Sequence, residues 1–382
     1  MFSKENQLQR SLFAPVIALS FGSSQSQDCL EFLRKRSANT ELVPLSDESQ
    51  LRMAADGRIV ESGYRFTIPG FSSLTQALCP GIRSVFGDIS GVMPARRRDT
   101  ETCSIPAAVA IYNATLRANF ELLRERTILV DHTSRSIDAF YGLSHKYIDN
   151  ASFLEAILNV LQEHASNCKF YRAELIGRAI SVYIIDPASR ISYAHMPDQV
   201  FSSGYYFSNK EDPGKSIKAL PCIYTKYGVA IEPAGKNKRL VHSGSDMAGR
   251  MHDLIHRAFS RKIDMVRLGT RIELLNTQSL GISDKTEFKP TVKKWAGYLS
   301  RLGVSTISAN TIVKNALQVG RDLEPRDPLS IFTSRVLASR TAYDLVCSAL
   351  RYSRAAPIDE KEEIQTKAMK ILLPPVAPKG DT

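Results

Sequence analysis

The stretch GYYFSNKEDPGKSIKALPCIYTKYGVAI, which runs from Gly204 to Ile231, decides the fold class of this chain. Aromatic and β-branched residues cluster in it, as they do in strands, and the turn residues Asp212-Pro213-Gly214 interrupt it. The pattern predicts strands near residues 199–208, 216–224 and 227–231. Because short connections join antiparallel neighbours, we expect a mostly antiparallel sheet in the middle of the chain.

The flanking sequence extends this sheet and adds helices. Apolar runs predict further strands at residues 127–130 and 136–141, and a hairpin over residues 169–185. Apolar residues at helical spacing predict helices over residues 107–124 and 150–163. The predicted fold class is therefore α+β, with a central, mostly antiparallel sheet, packed helices and an α-helical C-terminal third.

Four regions are expected along the chain. Residues 1–100 are predicted to be a loosely structured N-terminal region with short helices and a hairpin, and residues 101–245 an α+β core with a β-rich sheet. From Asp246 the apolar spacing becomes helical, so residues 246–373 are predicted to form a helical C-terminal region. The proline-rich end, residues 374–382, is predicted to be a flexible tail.

The charge balance favours an acidic partner. The 382 residues include 50 Lys plus Arg and 39 Asp plus Glu, which leaves a formal net charge of +11. An excess of this size attracts polyanions through counterion release and electrostatic steering. Solubility alone would also account for the excess, because net charge carries no information about the fold.

Cysteine usage and hydropathy indicate a cytoplasmic protein. The six cysteines are scattered, with no Cys-x-x-Cys pair, so neither a zinc knuckle nor a disulfide framework is expected. The N-terminus lacks the charged-then-apolar order of a signal peptide, and the apolar run at residues 12–19 is too short to span a bilayer. We therefore expect free thiols in a reducing cytoplasm, and no membrane partner.

The Gly-Lys-Ser triplet at residues 214–216 resembles part of a phosphate-binding loop but lacks its context. Such a loop needs the pattern G-x-x-x-x-G-K-[ST] between a strand and a helix, so that backbone N–H groups surround the phosphates. Here Asn209 occupies the position of the first glycine, and Pro213 removes one donor. The segment that follows reaches Pro221 too soon to form the helix. A β-turn explains the triplet better, and no cofactor is expected.

His252 and His256 stand one helical turn apart, which is the spacing of two zinc ligands in a class of metalloenzymes. Asp253 follows the first histidine, where such enzymes place a catalytic glutamate. No third ligand is evident downstream, so two histidines that flank an apolar stripe on a basic helix are the preferred interpretation. A metal-dependent enzyme that uses this pair is kept as the second alternative.

Basic and aromatic side chains form the clearest candidate site. Stacking rings beside a phosphate-tracking groove are how sequence-tolerant single-strand binding is built, although tyrosine is also ordinary in strands. The predicted nucleic-acid-binding residues are Lys236, Lys238, Arg239, Arg250, Arg257, Arg261, Tyr205, Tyr206, Tyr224, Lys226 and Tyr227. Outside this set, Lys293-Lys294 with Trp295 and the arginines at residues 96–98 add further basic clusters.

Ordered landmarks between residues 64 and 373 resemble a family of phage- and plasmid-encoded proteins, the domain of unknown function numbered nine-three-two in its series. LSHKYIDN at residues 143–150 is similar to that family's step from strand into helix. GYYFSN at residues 204–209, with Gly214, is similar to its Ser-Asn-Ser-Glu-x-Gly segment. Three further stretches resemble later landmarks: residues 222–228, TAYD at residues 341–344 and a closing helix over residues 364–372.

The resemblance implies a mobile-element protein associated with DNA, and it supplies no catalytic residues. The chain departs from the family pattern at His145, which replaces an acidic residue, and at Lys226-Tyr227, which precede Gly228. We therefore expect a non-catalytic DNA-binding protein, with single-stranded DNA as its partner, that supports replication or annealing-type recombination. A host-targeting protein-interaction factor is the first alternative, and a homo-oligomer is compatible with either.

Overall fold

The computed structural model describes residues 13–78, 105–164, 167–194, 196–211, 215–235, 238–280, 288–301, 303–318, 341–356 and 358–374. Over these residues the fold is α+β, as predicted, and it has a large antiparallel sheet and C-terminal helices. Several predictions lie outside the described residues. They concern the turn at residues 212–214, the arginines at residues 96–98, Lys236 and the end of the tail at residues 375–382.

The strands fall into two sheets. They are β1 Ala18–Phe21, β2 Thr40–Pro44, β3 Arg65–Phe66, β4 Thr127–Asp131, β5 Ser136–Tyr141, β6 Lys169–Ile176, β7 Ala179–Ile185, β8 Ile191–Tyr193, β9 Met196–Lys210, β10 Ser216–Thr225, β11 Gly228–Ile231 and β12 Arg239–Val241. The larger sheet has the order β1–β6–β7–β9–β10–β11, with β8 paired to β9 and β12 paired to β10. Its pairings are antiparallel throughout.

The smaller sheet has the order β2–β4–β5–β3, and only its short β3–β5 contact is parallel. The segment before residue 100 therefore supplies β1 to the larger sheet and both β2 and β3 to the smaller one. The prediction of a loosely structured region with short helices and a hairpin over residues 1–100 stays a prediction. The strand pairings of residues 13–78 were not predicted, because short strands that pair with distant residues leave no local pattern in the sequence.

Helices cover both sheets and form the C-terminal third. They are α1 Ser26–Ala38, α2 Ile68–Leu78, α3 Ile105–Asn119, α4 Asn150–His164, α5 Met247–Phe259, α6 Met265–Thr277, α7 Phe288–Arg301, α8 Thr306–Gln318, α9 Ala342–Ala355 and α10 Ile358–Leu372. Short 3-10 turns occur at Glu48–Gln50, Phe120–Leu122 and Pro187–Ser189.

The three largest hydrophobic cores among the described residues hold most of these layers together. One core packs α1, α4 and α5 against the larger sheet, and a second packs α2 and α3 against the smaller sheet. The third and largest core joins α6 to α10 with the ends of β9, β10 and β11. The C-terminal helices are thus one packed unit set against the edge of the larger sheet.

Aspartates define where several of these helices begin. The carboxylates of Asp149, Asp246 and Asp264 each accept a backbone N–H from the first turn of α4, α5 and α6, respectively. Such N-caps satisfy donors that have no partner inside the helix. The apolar pattern did not predict α6 as a separate helix, because only a short connection separates it from α5. The cap at Asp264 marks the residue at which α6 begins.

Candidate nucleic-acid interface

The four tyrosines predicted to stack on bases are buried. Tyr205 is 6% exposed, Tyr206 1%, Tyr224 7% and Tyr227 2%. Successive residues of a strand point to opposite faces of the sheet, so Tyr205 enters the core beneath α5 while Tyr206 enters a separate core. Because both faces are covered, the prediction that these rings stack on bases is wrong.

The hydroxyl groups of these rings are engaged inside the protein as well. The Tyr205 hydroxyl donates to the carbonyl of Phe259 at 3.1 Å, and the Tyr206 hydroxyl donates to Oε2 of Glu362 at 3.2 Å. A buried phenol normally finds such a partner. The aromatic stripe of β9 therefore packs the sheet against α5 and α10.

The predicted cations on α5 and directly after its end form a separate basic region. Arg250 and Arg257 are exposed, while Arg261 is half-buried. Nη1 of Arg250 donates to the carbonyl of Ser243 at 2.7 Å, and Nε of Arg257 donates to the carbonyl of Asp253 at 3.1 Å. These contacts hold both guanidinium groups close to their own segment. Binding by this region stays a prediction.

The remaining predicted cations are elsewhere. Lys226 is exposed at the turn between β10 and β11, where Arg354 of α9 donates to its carbonyl at 2.6 Å. Nζ of Lys238 forms an ion pair with Oε1 of Glu232 at 2.7 Å, which offsets part of its charge. Arg239 is exposed on β12. The predicted set thus divides between α5, β12 and the edge of the sheet next to α9.

The two histidines considered as metal ligands are exposed on α5. The rings of His252 and His256 lie 6.5 Å apart, centroid to centroid. Across the described segments, no group of three or more His, Cys, Asp and Glu residues is arranged to hold a metal ion. The pair alone gives no metal centre to build on.

A different element concentrates positive charge, namely α7. Its sequence FKPTVKKWAGYLSR carries four cations and no acidic residue. One stripe of the helix is buried in the C-terminal core and consists of Val292, Ala296 and Leu299. This stripe leaves cations on both flanks, and the exposed ones are Lys289, Lys293, Lys294 and Arg301.

One flank of α7 faces α8 across an open groove of about 470 Å³. Lys289 and Lys293 of α7 and Lys314 of α8 line this groove. The remaining lining is small or neutral and consists of Val292, Ala296, Gly297, Ser300, Thr306 and Asn310. A Cβ atom built on Gly297 would meet nothing within 4 Å, so the groove is open at its middle. We call this surface the lysine groove.

The other flank of α7 faces α6, α9 and α10 across a narrower groove of about 260 Å³. Its cations are Arg271, Lys294 and Arg301, and its aromatic rings are Trp295 and Tyr298. Gln278 and the apolar residues Leu275, Ala342, Leu345 and Ile371 complete the lining. We call this surface the aromatic groove.

The two rings of the aromatic groove are held in a defined geometry. Their centroids lie 5.9 Å apart and their planes meet at 82°. Trp295 Nε1 donates to the carbonyl of Leu280 at 3.1 Å, and this bond fixes the indole. Nζ of Lys294 lies 5.9 Å from the centroid of the Trp295 ring. Tyr298 is 37% exposed. A ring and several cations are therefore presented together to solvent.

The six cations of the two grooves are not neutralised by neighbours that the structure describes. Acidic residues are missing from the linings of both grooves, and within the described segments no carboxylate forms an ion pair with any of the six. Unpaired cations around a concave surface focus a positive potential there. This electrostatic arrangement suits a polyanionic ligand.

The sequence held only part of the information for this site. Lys293-Lys294 with Trp295 stood out as a basic cluster, and Lys294, Tyr298 and Arg301 follow helical spacing on one face of α7. The contributions of Arg271 from α6 and Lys314 from α8 depend on how three helices pack. Those two residues carry no local pattern that would have marked them.

A second polar site is largely buried, at the junction of the two sheets. Arg178 donates from Nε to Asp138 at 2.6 Å and from Nη2 to Asp131 at 3.1 Å, and its Nη1 lies 3.4 Å from Oε2 of Glu211. Arg36 of α1 donates to Asp131 at 3.3 Å. Two guanidinium groups and three carboxyl groups thus meet here, and we call them the charge cluster.

Burial and charge act in opposite directions on the carboxyl groups of this cluster. Burial raises the pKa of Glu211 to about 7, against the attraction of Arg178. Burial alone would also raise the pKa of Asp131, but the Ser134 N–H and the two guanidinium groups bring it below its ordinary value. The cluster is satisfied internally, so it fits a role in joining the sheets better than a role in binding.

Two of the landmark segments meet beside the charge cluster. Nδ2 of Asn209, in β9, donates to Oδ1 of Asn150 at 2.9 Å, and the backbone N–H of Asn150 donates to Oε1 of Glu211 at 2.7 Å. In the same region the ring of His145 stacks on Tyr141 at 4.4 Å and on His242 at 5.1 Å. These contacts order the step from β5 into α4.

A comparison of the chain with protein-family models, with curated proteins and with solved structures finds no match. Over the part of the chain that the structure describes, no helix has both the length and the apolar character needed to cross a bilayer.

Proposed function

We propose that this protein binds nucleic acid through the two grooves that flank α7, with single-stranded DNA as the expected ligand. The observation that carries this proposal is the combination of two aromatic rings with six cations that form no ion pair within the described segments, all arranged around one helix. Cations alone would suit any polyanion. Rings beside cations suit a ligand that has both phosphates and planar bases.

The physical basis is counterion release together with ring contacts. Each phosphate that a Lys or Arg side chain neutralises releases a condensed cation from the strand, which favours binding at low salt. The lysine groove supplies compact ammonium charges for phosphates, while Arg271 and Arg301 supply planar guanidinium groups that donate to two oxygens at once.

The biological setting is part of the proposal and rests on the resemblance to phage- and plasmid-encoded proteins. In that setting a non-catalytic single-strand binder would support replication or annealing-type recombination. The cation-lined grooves support a role in binding, whereas the buried charge cluster supports a role in joining the sheets.

A salt titration tests the proposal. Fluorescence anisotropy of a labelled oligonucleotide should show binding at low salt that weakens as salt rises, with a log–log slope of about 0.7 for each phosphate contact on a single strand. Replacing Lys289, Lys293 and Lys314 by Gln should reduce that slope by about 2. Absence of binding at low salt, or a slope that the triple variant leaves unchanged, would contradict the proposal.

Gly297 offers a matched pair of variants inside the lysine groove. Gly297→Glu places a carboxylate among the three lysines, while Gly297→Ala adds only a methyl group in open space. We expect the first variant to weaken oligonucleotide binding at low salt by roughly tenfold, the scale of one lost charge contact. The second variant should bind as the parent protein does.

Charge reversal on α5 compares the two basic surfaces. If the ligand follows the grooves of α7, Arg257→Glu with Arg261→Glu should weaken binding less than Lys293→Glu with Lys314→Glu. The opposite order would place the binding site at α5, as the sequence predicted. If no oligonucleotide binds, an acidic protein partner becomes the better explanation of the unpaired cations.

A further inference from the structure

We propose that the aromatic groove is a subsite for one unpaired base, and that the lysine groove beside it follows the sugar-phosphate backbone. This inference rests on the proposed function and deepens it, because it assigns different parts of the same ligand to the two flanks of α7. It also predicts that the protein binds single strands more tightly than duplexes.

The two grooves have different linings, and this difference supports assigning the backbone to one groove and the base to the other. The lysine groove is the larger, at about 470 Å³, and its polar lining consists of three lysines with serine, threonine and asparagine. The aromatic groove is about 260 Å³ and contains both rings together with guanidinium groups. Ammonium groups on flexible chains suit phosphates, whereas flat rings and guanidinium planes suit a flat, desolvated base.

The ring geometry defines how a base would lie. Because the planes of Trp295 and Tyr298 meet at 82°, the two rings form a corner. A base stacked on the ring of Tyr298 would therefore lie nearly perpendicular to the indole. Aromatic pairs favour such an edge-to-face arrangement. Lys294 and Arg301 lie on the same stripe of α7 as Tyr298, so phosphates on either side of the base would find cations.

Polar groups at the rim of the corner are also fixed. Nε of Arg271 donates to the carbonyl of Ile371 at 3.1 Å, and this contact holds the guanidinium at the groove. The carbonyl of Gln278 accepts the N–H of Ala342 at 2.8 Å, and this bond fixes the backbone of Gln278. The amide side chain of Gln278 can both donate and accept hydrogen bonds. The base edge would thus meet hydrogen-bonding groups.

A duplex cannot use this corner without losing a base pair. Bases of a duplex are stacked on their neighbours, and extruding one costs a few kcal/mol. The lysine groove imposes no such condition, because phosphates are accessible on single and double strands alike. The protein should therefore bind both forms through phosphates and favour the single strand through the base subsite.

The chain contains a single tryptophan, which makes the corner directly observable. Trp295 emission should be recorded during titration of the full chain at low salt with an oligo-dT and with an abasic oligonucleotide of equal length. We expect both to bind, and only oligo-dT to change the emission. Equal changes with both oligomers, or binding of oligo-dT without a change, would overturn the inference.

Variants at Tyr298 give an independent readout by anisotropy. Tyr298→Ala should weaken oligo-dT binding by roughly 5- to 100-fold, the range expected for one stacked base, and should leave abasic and duplex affinities unchanged. Tyr298→Phe keeps the ring and should bind oligo-dT like the parent. Parallel losses for all three ligands would assign Tyr298 to structure and overturn the subsite.

Three further results lead to different conclusions. If no oligonucleotide of any kind binds at low salt, the proposed function itself fails. If oligo-dT, abasic and duplex ligands bind equally, only the base subsite fails and binding through phosphates stands. If thymidine monophosphate alone changes the emission at the same concentration as oligo-dT, a free nucleotide is the ligand and the strand subsite is overturned.

Discussion

Glu211 is a buried carboxyl group that faces charges from several elements. Arg178 attracts its ionised form most strongly, the N–H of Asn150 and Arg36 also favour that form, and Asp149 opposes it. Burial outweighs the attraction, so the pKa rises from 4.5 to about 7. The folded state therefore holds this proton more tightly than the unfolded chain does. As the pH rises through this interval, the folded state loses stability.

Replacing Glu211 by Gln removes this titration and keeps the shape of the side chain. The free energy of unfolding of the variant, relative to the parent, should increase on going from about pH 5 to about pH 8. The increase should be on the order of 2 kcal/mol, since one pKa unit corresponds to about 1.4 kcal/mol. Urea denaturation at several pH values measures it, and a difference that is constant with pH would contradict the assignment.

His145 titrates in the same interval with the opposite effect. Burial, and next the neighbouring His242, lower its pKa from 6.5 to about 4. The unfolded chain therefore binds the proton more tightly, and stability is lost as the pH falls from about 6.5 towards 4. His145→Phe keeps a ring in the stack with Tyr141 and removes the titration. Relative to the parent, this variant should become more stable as the pH falls.

These two residue variants control for each other. In the parent the contributions of Glu211 and His145 oppose one another, which flattens the dependence of stability on pH between about 4 and 7. Removing the carboxyl group should make stability rise with pH, and removing the imidazole should make it fall. Slopes of the same sign in both variants would show that other groups dominate.

At the scale of single elements, two glycines in neighbouring helices respond oppositely to the same change. Gly297 lies mid-helix in α7, where an added Cβ meets nothing within 4 Å. Gly269 lies in α6, where an added Cβ would come within 2.4 Å of the ring of Tyr193. Gly297→Ala should stabilise the protein by about 0.5–1 kcal/mol, because alanine is the better helix former.

Gly269→Ala should instead destabilise the protein by roughly 1–3 kcal/mol, the usual range for overpacking. The ring of Tyr193 cannot simply move away, because its hydroxyl donates to the carbonyl of Met265 at 2.5 Å and so ties β8 to α6. Thermal unfolding of both variants checks the sign. Stabilisation by both substitutions would mean that the contact between α6 and β8 is loose.

Elements with strong local patterns were predictable, and their packing was not. The strand at residues 136–141 matches its predicted bounds, and α4 matches within a residue, because alternation and apolar spacing are local. The prediction that the tyrosines of β9 stack on bases was wrong, because alternation shows that a strand has two faces but not that both faces are covered. The grooves of α7 depend on neighbours far away in sequence, such as Arg271 and Lys314.

At the scale of the whole molecule, the charge cluster links parts that no single core contains. Asp131 and Asp138 belong to the smaller sheet, whereas Arg178 and Glu211 follow strands of the larger sheet. Arg36 of α1 reaches both, since it contacts the two aspartates and donates to the carbonyl of Gly177 at 2.5 Å. Buried ionic contacts therefore hold the two sheets together, in addition to the chain segments that connect them.

Two arginines of α1 test this linkage. Arg36→Ala removes a guanidinium whose side chain is only 10% exposed and leaves Asp131 and Asp138 with one cation fewer, so we expect a loss of about 3–5 kcal/mol. Arg34→Ala, two residues earlier, removes an exposed ion pair with Glu155 and should cost less than about 1 kcal/mol. Because both changes replace arginine by alanine on one helix, helix propensity cancels in the comparison. Urea denaturation that gives equal losses would show that the sheets are held by their hydrophobic cores alone.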